Sequence, residues 1–169
     1  AAPGSAAAAA AAVVAAPAAA PVAPEPQEGT GTVVRLNVVD VEGIGPAYAE
    51  RLAAAGIATT DELLAAGSRP YDRDRIAETT GISSALIREW VDIVDLMRVP
   101  GVGPQYSDLL EAAGVGSPAE LAQRNPANLW VTVQEVIAAR PTMVRRTPTE
   151  AEIAGWIEAA GKLEKAVEH

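Results

Sequence analysis

Two stretches of this chain share a six-residue pattern, and the match indicates an internal duplication. The first copy begins at Gly43 and the second at Gly101, and each reads Gly-aliphatic-Gly-Pro-x-Tyr. The match continues downstream without a gap, at a constant offset of 58 residues, through Ala54-Ala55-Gly56 and Ala112-Ala113-Gly114. Self-similarity at one fixed spacing is typical of tandem structural units. We therefore expect two copies of one fold unit.

The composition excludes several kinds of active site. The 169 residues contain no cysteine and one histidine, His169, at the last position. This removes thiolate nucleophiles, disulfides, histidine metal clusters and the histidine of a catalytic triad. The acidic pairs Asp72/Asp74 and Asp92/Asp95 have no neighbouring ligand set, so they fit solvated helix faces better than a metal site. We expect no catalytic residue, no metal and no cofactor, and therefore a protein that is not an enzyme.

Residues 1–32 form a low-complexity segment of mostly Ala, Pro, Val and Gly that carries no Lys or Arg. Such a segment buries too little apolar surface to offset the entropy of ordering it, so we expect a flexible tail or linker. The Ala6–Ala16 run within it is too weakly apolar for a membrane-spanning helix. We therefore expect no membrane span in this chain, and the composition assigns no compartment.

The first repeat unit, residues 33–98, has the pattern of a series of helices. One helix is expected from Pro46 to Gly56, because Pro suits a first helical position and Gly follows a last one. Thr59-x-x-Glu62 is a capping-box pattern that opens the next helix. Another is expected over 71–79. Ser83 then caps a long helix with an apolar face made of Leu86, Ile87, Trp90, Val94 and Met97. Strand signals are weak and confined to 33–39.

The second unit, residues 99–169, repeats this plan with an insertion. Its first helix follows Pro104, and the Ser117-Pro118-x-Glu120 pattern opens a second one. A helix is expected over Pro126–Ala139, and Thr147-Pro148-x-Glu150 is expected to open the last. About eight additional residues fall between Ala138 and Thr147 by the repeat arithmetic. The expected buried stripe of the last helix is Ile153, Trp156, Ile157, Ala160 and Leu163.

A Gly-hydrophobic-Gly turn between helices, followed by a helix that ends in Ala-Gly, resembles the helix-hairpin-helix motif. Two copies that each continue to a Trp-bearing helix look like the family named domain of unknown function 4332. The resemblance extends roughly from Val34 to Glu168. It implies an all-α fold in which two tandem SAM-like helix-hairpin-helix bundles follow the low-complexity N-terminal tail.

The hairpin turns consist of three residues each, and small residues there have a mechanical reason. Both glycines of a turn are expected to relieve crowding, and the middle residue is expected to enter the core. The six residues are Gly43, Ile44, Gly45, Gly101, Val102 and Gly103. In nucleic-acid-binding relatives the turn amides hold a phosphate, and a Lys or Arg follows the second glycine. Here Pro46 and Pro104 remove one N–H donor at each turn, and the expected basic positions are neutral or acidic.

Four other residues are candidate partner contacts. Trp130 has no counterpart in the first unit and is a candidate interface anchor. Arg140, Arg145 and Arg146 all fall in the insertion, where they would bind phosphate or the carboxylates of a partner, or simply form a solvated loop. The two hairpin tyrosines and the two other tryptophans fit buried helix faces better than base-stacking platforms.

These observations favour a non-catalytic interaction or scaffold module that binds another protein. The net charge of −9 opposes non-specific association with polyphosphate. The alternative is sequence-independent DNA or RNA binding through the hairpin amides and the local Arg cluster. A third hypothesis is a subunit that decorates a larger assembly.

Overall fold

A computed structural model describes residues 35–169, and the predicted 1–32 tail lies outside the described residues. The described part is all-α, as predicted, and contains no strand apart from an isolated bridge between Asn37 and Thr59. A short 3₁₀ helix covers Val38–Asp40, where the weak strand signal ended. The α-helices are α1 Pro46–Ala54, α2 Thr60–Ala66, α3 Pro70–Thr80, α4 Ser84–Leu96, α5 Pro104–Ala112, α6 Pro118–Ala122, α7 Pro126–Ala139 and α8 Glu150–Ala160. None of these helices is long and apolar enough to cross a membrane.

The two units open their second helices with the same hydrogen bonds. The carboxylate of Glu62 accepts from the amide of Ala58 at 2.8 Å, and that of Glu120 accepts from Gly116 at 2.8 Å. In the pattern predicted from the sequence, each carboxylate would instead accept from the N-cap residue itself. Ser117 Oγ accepts from the Glu120 amide, whereas Thr59 makes no side-chain cap bond.

The last helix begins two residues later than the sequence pattern predicted. Thr149, not Thr147, is the N-cap, and its Oγ1 accepts from the Glu152 amide at 3.1 Å. Thr149-x-x-Glu152 fits the same capping pattern, so the sequence offered two overlapping starts. The Glu152 carboxylate binds Arg146 and also interacts with the cap residue Thr149.

The helices of the two units pack in the same order. In the first unit α4 packs against α2 and α3, and in the second α8 packs against α6 and α7. The expected insertion consists of two differences between the units. Helix α7 is longer than its counterpart α3, and residues 140–149 connect α7 to α8. The corresponding connection between α3 and α4 is only residues 81–83. A direct contact between α4 and α5 joins the two halves.

Within residues 35–169 the buried apolar side chains form two clusters, one that contains Trp90 and another that contains Trp156. The clusters do not follow the chain strictly. Leu96 belongs to the second cluster although it precedes the predicted boundary at 98/99, and Val167 belongs to the first although it lies near the other end. The boundaries 33–98 and 99–169 stay a prediction, but each half contributes a core residue to the other.

Candidate functional site

The first glycine of each hairpin turn has a backbone conformation that other residues rarely adopt. Gly43 has φ +89° and Gly101 has φ +87°. A Cβ on Gly43 would lie 3.4 Å from Trp90 Nε1, and one on Gly101 would lie 3.0 Å from Trp156 Nε1. The indole of each unit therefore lies directly behind the first glycine of its own turn.

The second glycine of each turn is not required for this reason. Gly45 and Gly103 are N-caps of α1 and α5 with ordinary φ values of −76° and −93°. No atom lies within 4 Å of a Cβ built on either residue. The expectation that both glycines relieve crowding is therefore wrong for the second one.

The middle residues of the turns face inward and use their own amides. Ile44 and Val102 are buried, as predicted. The amide of Ile44 donates to Val41 O at 3.1 Å, and that of Val102 donates to Val99 O at 3.0 Å. A phosphate-binding hairpin needs such amides to point at the ligand. In both turns the middle amide is committed to the protein backbone.

The hairpin tyrosines face the apolar clusters, as predicted from the helix pattern, and each also packs against the tryptophan of its own unit. The rings of Tyr48 and Trp90 meet edge to face with centroids 5.2 Å apart, and those of Tyr106 and Trp156 are 5.0 Å apart. Both tyrosines are half-buried at the edge of the two clusters. These rings stabilise the hairpins and are not open platforms for base stacking.

Carboxylates from several elements gather beside the first hairpin. We call this set the acidic face, and it consists of Glu42 before the hairpin, Glu89 and Asp92 on α4, and Asp108 and Glu111 on α5. An open groove of about 600 Å³ borders part of this face. Its charged lining consists of four carboxylates, Asp74, Glu89, Asp92 and Glu111, and of Arg73, Arg88 and His169. Sequence reasoning missed this surface, because its members lie far apart in the chain.

The charged forms of two acidic-face carboxyls are disfavoured. Burial raises the pKa of Asp108, the Glu42 carboxylate adds to the rise, and Arg140 opposes it. Burial likewise raises the pKa of Glu111, with Glu89 as the strongest neighbouring negative charge and Arg140 again opposing. The negative charges of these two half-buried carboxylates are therefore only partly compensated by nearby positive charge.

Asp92 has two side-chain partners within 4 Å. Its carboxylate lies 2.9 Å from His169 Nε2 and 3.9 Å from Arg88 Nε. Burial is the main reason that the pKa of Asp92 is raised, and the hydrogen bond from His169 opposes that rise. The sequence suggested no role for His169, whereas the structure places it on this carboxylate.

The three arginines of the insertion do not act as one cluster. Arg140 is the cation that faces Asp108 and Glu111. Arg146 makes a bidentate pair with Glu152, with N–O distances of 2.6 and 2.9 Å. The hydrogen bond with Arg146 lowers the pKa of Glu152. Arg145 is exposed, and its backbone amide donates to Gln105 Oε1 at 3.3 Å beside the second hairpin.

Trp130, the predicted interface anchor, lies on α7 and is half-buried against the second cluster. Its neighbour Val131 is 51% exposed. α7 is more apolar than α3, its counterpart in the first unit, which carries Asp72, Asp74 and Glu78. Part of the Trp130 surface therefore stabilises the second unit, and part is open to solvent.

The residues 35–169 contain no group of three or more His, Cys, Asp or Glu side chains that would hold a metal ion. No significant match was found among curated proteins or among solved structures. A family model does match, over residues 42–163, and its description is Domain of unknown function (DUF4332). The match includes both Gly-aliphatic-Gly turns, both core tryptophans and the acidic face. The chain therefore belongs to the DUF4332 family.

Proposed function

We propose that this protein is a non-catalytic interaction module whose acidic face binds a Lys- or Arg-bearing surface of a protein partner. The observation that carries the proposal is the pair Asp108 and Glu111. Burial and neighbouring carboxylates disfavour their charged forms, and Arg140 opposes this only in part. A cation brought by a partner would relieve that repulsion, so charge complementarity favours a basic partner.

The hairpin geometry supports a protein partner over nucleic acid. Pro46 and Pro104 each remove one amide donor, and the middle amides bond to Val41 O and Val99 O. Glu42 and Asp108 lie close to the first hairpin, where a phosphate would be repelled. A scaffold role is compatible with these features, since a rigid turn backed by Trp90 presents its surroundings in a fixed position.

One observation favours the nucleic-acid alternative at the second hairpin. The 140–149 connection meets α5 there, through the Arg145 amide on Gln105 and the Tyr106 hydroxyl on Arg146 O at 3.0 Å. This brings the backbone of the exposed Arg145 against Gln105, two residues after Gly103. This observation gives limited support to nucleic-acid binding, because the Glu152 carboxylate neutralises the neighbouring Arg146.

Binding of two labelled probes distinguishes the hypotheses: a hexalysine peptide and a short DNA duplex, each at low and near-physiological salt. We expect binding of hexalysine and none of DNA. Charge reversal on the acidic face, Glu89→Lys with Glu111→Lys, should abolish peptide binding. The matched control Glu78→Lys with Glu158→Lys makes the same change in net charge at exposed positions and should preserve most of it.

Two results would contradict the proposal. Equal losses in both double variants would mean that the peptide responds to net charge alone. DNA binding that weakens steeply with salt and disappears in Arg145→Glu would establish the alternative.

A further inference from the structure

The chain beyond α8 returns to the first unit in a non-helical conformation. Residues 163–169, called the strap here, form neither a helix nor a strand. The amide of Glu168 donates to Ser68 O at 2.7 Å, in the connection between α2 and α3. The Val167 side chain is 2% exposed and belongs to the Trp90 cluster. The strap is therefore a non-helical segment that packs against the first unit through its backbone and the Val167 side chain.

Two arginines with little exposure bind the main chain of the strap. Arg73 Nη1 donates to Gly67 O and its Nη2 donates to Glu168 O, both at 2.8 Å. Arg98 Nη2 donates to Glu164 O at 2.8 Å, while its Nη1 pairs with Asp95 at the same distance. Carbonyl groups are present in every peptide, so these contacts recognise a backbone and not a particular sequence.

The groove recognises side chains at two positions. Val167 supplies an aliphatic anchor, and two residues later His169 lies on Asp92 of the acidic face. The strap fills the groove incompletely, because a cavity of about 280 Å³ remains between it, Asp95 and the start of α6 at Pro118. Larger side chains than those of the strap would fit there.

The charge of the strap is not the best match for this groove. Glu168 is exposed next to His169, at the end of the strap that reaches the acidic face. A segment with Lys or Arg at these two positions would replace a negative charge by cations in the groove where the carboxylates of Asp74, Glu89, Asp92 and Glu111 outnumber Arg73 and Arg88. Electrostatic complementarity therefore favours a basic segment over the strap itself.

We propose that this groove is a peptide-binding site, and that its partner is an extended, basic segment of another protein with an aliphatic anchor followed two residues later by a Lys or Arg. The strap occupies the site in the free protein and competes with the partner. Tethering gives the strap a high effective concentration, so the partner must bind more tightly than an untethered strap would. The preference for a Lys or Arg in the partner segment rests on the proposed function, whereas the backbone contacts and the aliphatic anchor do not.

The test uses a labelled probe peptide, Leu-Glu-Lys-Ala-Val-Lys-Lys, which has the strap sequence with Lys in place of the last two residues. The control peptide has Asn in place of Val and the same charge. Both are titrated against the full chain and against its Val167→Asn variant, whose helix content is checked by circular dichroism. We expect the probe to bind the variant about tenfold or more tightly than the full chain, because the strap no longer competes. The control peptide should not gain.

A second measurement does not depend on the variant folding. In nuclear magnetic resonance spectra of the unmodified chain, saturating probe should move the Val167 methyl signals to the positions of an exposed valine. Unchanged Val167 signals at saturation, or equal affinity for both peptides, would overturn the groove proposal. If the probe and the control peptide bind equally, and both lose binding in Glu89→Lys with Glu111→Lys, the proposed function remains supported although the groove proposal fails. If neither peptide binds at low salt, both proposals fail.

Discussion

Trp156 Nε1 lies 3.0 Å from the point that a Cβ of residue 101 would occupy, behind a Gly101 whose φ is +87°. Trp90 and Gly43 repeat the relationship at 3.4 Å in the first unit. A Cβ on Gly101 would require the indole of Trp156 to shift by a few tenths of an ångström, whereas one on Gly43 would make an ordinary van der Waals contact with Trp90. In each repeat a turn near the start of the unit thus lies against the indole of its last helix.

The first prediction concerns these glycines. Gly101→Ala should lower the free energy of unfolding by about 2 kcal/mol, because it combines a left-handed backbone conformation with a close contact to Trp156. Gly43→Ala should cost less, because its contact is longer. Gly103→Ala is the matched control in the same turn and should be close to neutral. Urea denaturation of the three variants measures this, and a Gly103→Ala cost equal to that of Gly101→Ala would refute the steric explanation.

The second prediction distinguishes the two possible starts of α8. Thr149→Ala should destabilise the protein by about 1 kcal/mol, because it removes the oxygen that accepts from the Glu152 amide. Thr147→Ala lies two residues before this cap, at an exposed position, and should change stability little. Thermal unfolding of both variants provides the comparison. A larger effect at Thr147 would restore the start that the sequence pattern favoured.

Local punctuation explains why most helix positions could be predicted from the sequence. Pro46, Pro104 and Pro126 are first helical residues, and Ser83 caps α4 as expected. Proline and capping residues act on neighbouring residues in the chain, so the helix ends that they set can be predicted from a few residues of sequence. The α8 start was missed by two residues because Thr147 and Thr149 present the same signal.

The surfaces most relevant to function could not be predicted in this way. Arginine is mostly an exposed residue, so nothing in the sequence distinguished the buried Arg73 from Arg75. The acidic face joins Glu42 to Glu111 across the α4–α5 contact, which depends on tertiary packing. Val167 lies after the end of α8, outside any helical spacing of apolar residues. Its burial in the first cluster therefore could not be predicted from a sequence pattern.

The third prediction follows from the raised pKa of Asp108. The folded chain holds this proton more tightly than the unfolded chain does, so the associated stability is fully present below pH 3.8 and is lost as the pH rises through the folded-state value. Asp108→Asn should therefore unfold with a free energy roughly 0.5 kcal/mol higher at pH 7, after solvent screening. The advantage over the unmodified chain should shrink towards pH 4.

Chemical denaturation at several pH values measures that difference. Asp40→Asn is the control, because Asp40 is exposed and lies outside the acidic face. An Asp108→Asn variant that is less stable than the unmodified chain at pH 7 would contradict the view that this carboxylate is poorly compensated.

The last prediction concerns Arg73, which binds the backbone of the strap at Glu168. Arg73→Lys should lower the free energy of unfolding by about 2 kcal/mol, because one ammonium group cannot reach Gly67 O and Glu168 O together, and a buried carbonyl loses its donor. The Glu168 amide, which donates to Ser68 O, should then exchange its hydrogen faster. Arg69→Lys, at an exposed ion pair with Asp72, is the matched control and should alter neither. Urea denaturation and hydrogen exchange provide the two readings, and faster exchange at Glu168 without loss of global stability would show that the strap opens independently of the core.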